Sequence, residues 1–168
     1  MSDLRYILLL IFLLPAISLA QTVPVAEEKV LYKGKIEIRA TSMGNAYSQA
    51  KSLLLNVMNA NPDSLKEIKQ EGVLTSTANI RLVSPYHLIK EFTYKVKMHA
   101  KENVIGYEIS DIELKVHERG GKSKTISSAE LLKGIQENGK VAMQAEKHLN
   151  EIDMNIQKVI AKMKRPSR

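Results

Sequence analysis

Between Phe92 and Val116 apolar and polar residues alternate, and part-way along the alternation changes parity. Phe92, Tyr94, Val96, Met98 and Ala100 hold even positions, with Thr93, Lys95, Lys97 and His99 between them. Ile105, Tyr107 and Ile109 are then apolar at odd positions, and Ile112, Leu114 and Val116 at even ones. A period of two gathers the apolar side chains on one face of a strand. Two such strands turning at Lys101-Glu102-Asn103 make an antiparallel hairpin with one buried and one wet face. A parity change inside a strand requires one extra residue, so a β-bulge is expected near Ser110-Asp111. The hairpin is therefore curved, and a purely helical fold is excluded.

What packs on the buried face is also legible. Ala46, Tyr47, Ala50, Leu53, Leu54, Val57 and Met58 recur at helical spacing, after Thr41 or Ser42 as a cap and before Asn61-Pro62-Asp63 as a stop. Val141, Ala145, His148, Leu149, Ile152, Ile156, Val159, Ile160 and Met163 trace a second stripe, predicting a long C-terminal helix. Ser127-Ser128-Ala129-Glu130 reads as a capping box opening a short helix before Asn138-Gly139. Ile36-Glu37-Ile38-Arg39 predicts a first strand within Val30 to Arg39, and Thr-rich Val73 to Val83 another. Leu65 to Glu71 reads as a brief strand, and Glu118 to Thr125, with Gly120-Gly121, as a polar loop. The expectation is one α+β domain over 29–164, with a curved antiparallel sheet of about five strands in β-α-β-β-β-β-α order and helices packed on one face. An extended lead-in, 21–28, precedes it, and a basic tail, 165–168, follows.

This chain resembles a family of exported bacterial domains of unknown function with a TBP-like fold. The resemblance rests on the signal-peptide pattern of residues 1–20, on the strand-helix unit from Lys35 to Met58 and on Phe92-Thr93-Tyr94-Lys95-Val96 answered by Tyr107-Glu108-Ile109-Ser110-Asp111. It covers about residues 29–117, and the closing helix by position. It implies export and a compact α+β domain, and it brings no established catalytic residues. "TBP-like" names a shape and carries no implication of DNA binding.

The first twenty residues form an address. Arg5 precedes the uncharged run Tyr6 to Leu14; Pro15 breaks it, and Ser18-Leu19-Ala20 offers small residues before a cut between Ala20 and Gln21. Ile7 to Leu19 is 13 residues, short of the about 20 a membrane-spanning helix needs. The segment 1–20 is read as a secretory signal peptide, so the chain is expected in the periplasm or outside the cell, with no transmembrane span after cleavage. Cysteine is absent, which excludes disulfides, thiolate chemistry, Cys-ligated zinc and an acylated N-terminal Cys. The formal net charge of +7 comes from singly scattered lysines and arginines, with Lys162-Met163-Lys164-Arg165 as the one local cluster, which the negative end of a helix dipole already favours. No aromatic platform interleaves them, so no nucleic acid partner is expected.

No catalytic constellation emerges. Nucleophile elbow, P-loop, dinucleotide fingerprint and H-E-x-x-H are all missing. One geometric alternative concerns a metal: aligning Phe92 with Ile112 across the bulge sets His87 opposite His117. Their Cβ atoms would lie about 5 Å apart, with Glu113 as a third ligand. The other reading is that Pro85-Tyr86 ends the pairing first, leaving unconnected surface groups; no metal and no cofactor are assigned. Asp111 is either a carboxylate aimed by the kink or one accepting the amides that the bulge leaves unpaired. His148 sits on the apolar stripe beside Glu151 and Asn150, at the edge of the core. The leading expectation is a non-enzymatic binding or accessory domain of the bacterial envelope, recognising an envelope protein or surface component. Self-association into a homo-oligomer stays open. The alternative is a carrier holding a small apolar ligand between curved sheet and C-terminal helix.

Overall fold

The computed structural model describes residues 23–26, 29–40, 42–83, 89–117 and 122–165. The expected signal peptide with its Ala20-Gln21 junction, half of the lead-in, Gly120-Gly121 and the tail beyond residue 165 lie outside them. Two short strands, β1 (Val25–Ala26) and β2 (Lys29–Val30), pair with each other. The main sheet holds β3 (Tyr32–Glu37), β4 (Lys66–Ile68), β5 (Val73–Val83), β6 (Ile89–Lys101), β7 (Val104–His117) and β8 (Ser123–Ser127). Its order is β3-β7-β6-β5-β4, all antiparallel, and β8 pairs with β7 beside β3. The helices are α1 (Met43–Ser52), α2 (Ser128–Ile135) and α3 (Lys140–Met163).

Six strands replace the expected five. The additional one is β8, in a segment read as loop, where Ile126 is the single apolar residue and no alternation can register. Its partner is what makes it a strand: past Ile112 the outer edge of β7 is left open by β3, and Ser123–Ser127 fills it.

All five even positions from Phe92 to Ala100 are buried, as are Ile105, Tyr107, Ile109, Ile112 and Leu114. They meet Ala46, Ala50 and Leu54 from the first helix and Leu149, Ile152 and Ile156 from α3 in one core. Burying this many aliphatic and aromatic side chains, each worth about 1.5–3 kcal/mol, is what drives the sheet and helices together. The first helix is not uniform. After Ser52 it widens into a π turn, Leu53–Val57, in which the Met58 amide bonds the Leu53 carbonyl at 3.0 Å. Its buried residues, Ala46, Ala50, Leu54 and Met58, are spaced by four. A four-residue spacing drifts around an α-helix of 3.6 residues per turn, and one wider turn brings the stripe back toward the core. Ser42 caps α1 by accepting from the Asn45 amide, and Ser127 with Glu130 forms the predicted capping box of α2. No described helix is long and apolar enough to cross a membrane.

Candidate functional site

The bulge lies where the parity change put it, but its register differs from the expected one. Thr93 pairs with Glu113 and Lys95 with Ser110, so Tyr94 stands against two residues, Asp111 and Ile112, of β7. Phe92 consequently faces Leu114 rather than Ile112, and His117 faces Ile89. The extra residue is on β7, where the parity change between Ile109 and Ile112 lies, whereas pairing Phe92 with Ile112 places it on β6, whose alternation is unbroken. His87 lies outside the described residues. His117 Nε2 stands 3.9 Å from Glu91 Oε2, and Glu113 pairs with Thr93 on one side and Ser127 on the other. Among the described residues no group of three His, Asp or Glu side chains is placed to hold a metal.

Asp111 adopts φ 49°, the left-handed region, which the bulge geometry demands and Asp tolerates better than most residues. Its carboxylate is exposed, 3.9 Å from Lys95 Nζ; no bond from it to the bulge amides is formed. His148 does sit at the core edge. Its Nδ1 is 3.4 Å from Glu151 Oε2, which also pairs with Lys90. Burial holds the imidazole below its ordinary pKa, and the bond to Glu151 opposes that shift.

Sequence reasoning missed Asp153, a buried carboxylate inside the α3 stripe. It accepts a 3.0 Å hydrogen bond from Tyr32 Oη. Burial first, and the Asp153 charge second, push the Tyr32 phenol far above its usual value. The bond is a structural tie, enclosed in the core.

The sheet face opposite the helices is exposed at Lys35, Lys97, His99 and Ile68, while Val73 on it is buried. Lys35, Gly106, His99, Val73 and Ile68 form one row across β3, β7, β6, β5 and β4. Lys33, Glu108, Lys97, Thr75 and Lys66 form the next. Lys33 is neutralised by Glu108 at 3.1 Å. Among the described residues Lys35, Lys66, Lys97 and Lys101 have no such partner. Gly106 has no side chain, so a depression of about 380 Å³ opens over it, edged by Lys33, Lys35, Lys97, His99 and Glu108. A glycine at a wet position of an otherwise alternating strand was the sequence signal for this gap.

The interval between sheet and α3, where an apolar ligand could have lain, is filled: Leu149, Ile152 and Ile156 are each at most 2% exposed. Clefts open instead at the periphery. One of about 580 Å³ lies where the end of β3, the π turn and the end of α3 converge. Another, about 640 Å³, opens beside Tyr47, Lys51 and Glu67. There Glu67 accepts from both side chains, and partial burial with the Glu67 bond pushes the Tyr47 phenol up to about 12.

The overall fold is shared with solved structures. A TBP-like protein from Parabacteroides distasonis ATCC 8503 superposes with a TM-score of 0.58 at 16% identity, over 86% of this chain and 99% of that one. The fold is TBP-like. A DUF4468 family protein from Bacteroides ovatus ATCC 8483 gives the same TM-score at 14% identity, over 86% of this chain and 91% of its own. No protein-family model and no curated protein matches the sequence. At this identity the likeness establishes the TBP-like architecture and leaves the activity to be argued from the chain's own residues.

Proposed function

We propose that this chain is an exported, non-enzymatic binding or accessory domain of the bacterial envelope, which docks its partner on the open face of the TBP-like sheet. The observation that carries the reading is the lysine array around Gly106. Lys33, Lys35, Lys66, Lys97 and Lys101 stand on the turn end of a sheet face where Glu37 and Glu108 are the acidic neighbours, and of these five lysines only Lys33 forms an ion pair among the described residues. A partner surface rich in carboxylates complements that array, and attraction of this kind is salt-sensitive. The leader sequence supports delivery to the envelope.

Crosslinking and pull-down of the mature protein from an envelope fraction tests the reading. A specific partner should be retained by the wild type at low salt and released by the double substitution Lys35→Glu/Lys97→Glu with the fold intact by circular dichroism. Equal retention by both proteins removes the open face as the docking surface. N-terminal sequencing of the product tests export, with Gln21 expected first; a cytosolic protein starting at Met1 overturns that part.

A further inference from the structure

The cleft at the end of α3 is built differently from the open face, and it points to a ligand of its own. Its floor is apolar and comes from three elements: Ile36 and Ile38 at the end of β3, Leu53 and Val57 on the first helix, and Met163 at the end of α3. Its rim carries Arg39, Lys164 and Arg165, with Glu37 as the opposing charge. None of the three cations forms an ion pair among the described residues. Lys164 and Arg165 by themselves are accounted for by the negative end of the α3 dipole. Arg39 is not, because it arrives from the strand side and meets them across the cleft.

The π turn that returns the apolar stripe to the core also shapes this cleft. Leu53 and Val57 are its first and last residues, and both line the cleft half-buried rather than in the core. Such widened turns concentrate at functional sites because they re-aim side chains that a regular helix would place elsewhere. About 580 Å³ also lies within the roughly 300–1,000 Å³ range of small-molecule sites.

We infer that this cleft binds a small amphipathic carboxylate, its apolar chain on Ile36, Ile38, Leu53, Val57 and Met163 and its carboxylate on Arg39, with Lys164 and Arg165 adding positive potential. A guanidinium takes a carboxylate through two parallel N–H bonds, which fixes the orientation of the head. The apolar ligand of the carrier alternative is thereby moved from beneath the helix to its end, and given a charge. This site is separate from the open sheet face and does not depend on docking there.

Isothermal titration of the mature protein with decanoate, 1-decanol and butyrate is the test. Decanoate should bind saturably below its critical micelle concentration, decanol at least tenfold more weakly, and butyrate without measurable heat. Arg39→Gln should lower decanoate affinity by about tenfold while leaving decanol unchanged, since it removes one charged hydrogen-bonding partner. Leu53→Asp should abolish binding of both, with circular dichroism and the melting temperature checking that the variant is folded. Lys35→Glu/Lys97→Glu should leave decanoate binding intact. Absence of saturable decanoate binding, or equal affinity in wild type and Arg39→Gln, overturns the inference whatever the result for the open face.

Discussion

Tyr32 Oη donates to Asp153 Oδ1 at 3.0 Å, joining the first strand of the main sheet to the middle of the last helix across 121 positions of sequence. Gln157 Nε2 approaches the same oxygen at 3.5 Å. Tyr32→Phe deletes the donor while leaving the carboxylate enclosed. The expected cost is about 1–3 kcal/mol, the range for orphaning a buried polar group. Urea unfolding reads it directly. Replacing both partners, Tyr32→Phe with Asp153→Leu, should cost less than the two single substitutions added, because no orphan remains.

Gly34 and Tyr107 are paired across β3 and β7, and the tyrosine ring folds over the glycine. A Cβ at Gly34 would lie 2.4 Å from Tyr107 Oη. Gly34→Ala should therefore destabilise by about 1–3 kcal/mol, the usual cost of overpacking. In a Tyr107→Ala background the same change should cost close to nothing. Equal cost in the two backgrounds would show that the ring is not what excludes a side chain there.

Stability should fall on the acid side through His148. Burial disfavours its charged form, Lys90 and Lys147 add to that, and Glu151 opposes it; the balance lowers the pKa from 6.5. Lys124 also lines the adjoining cleft. The unfolded chain takes up the proton near pH 6.5 while the native imidazole resists it. Folding stability is thus complete above that pH, declines as pH falls from it toward the lowered native value, and levels off below. Comparing melting temperatures at pH 7.5 and 5.5, His148→Asn should show a smaller drop than the wild type. An identical drop would assign the acid sensitivity to other groups.

Asp111 at φ 49° separates backbone from chemistry. Asp111→Gly should be neutral or slightly stabilising, whereas Asp111→Val should cost about 1–2 kcal/mol, the penalty for a side chain in the left-handed region. Partner capture by Asp111→Gly should equal that of the wild type. A loss of capture without a loss of stability would make the carboxylate part of the site.

The buried half of this molecule was legible because burial imposes periodicity. Phe92 to Ala100, Ile105 to Leu114 and the α3 stripe were readable for that reason, and a single extra residue was detectable as a slip in phase. Other features depend on partners distant in sequence. The strand at Ser123–Ser127 has too few apolar residues to announce itself. Asp153 interrupts a helical stripe, and only Tyr32, from the far end of the chain, explains its place. The basic cleft was invisible for the same reason, since Arg39 and Arg165 meet only after folding.

The division of the outer edge of β7 has a kinetic consequence. Val104–Ile109 take their partner from chain made earlier, and Glu113–His117 take theirs from chain made later. The β6–β7 ribbon has to exist before either can be zipped on, so it is the natural nucleus, and closing the long loop back to β3 is the slower event. Until both flanks arrive, half a strand of unsatisfied amides stands open to a second ribbon of the same kind. A protein truncated at either side should be prone to aggregate while still a folding intermediate, long before its native stability matters.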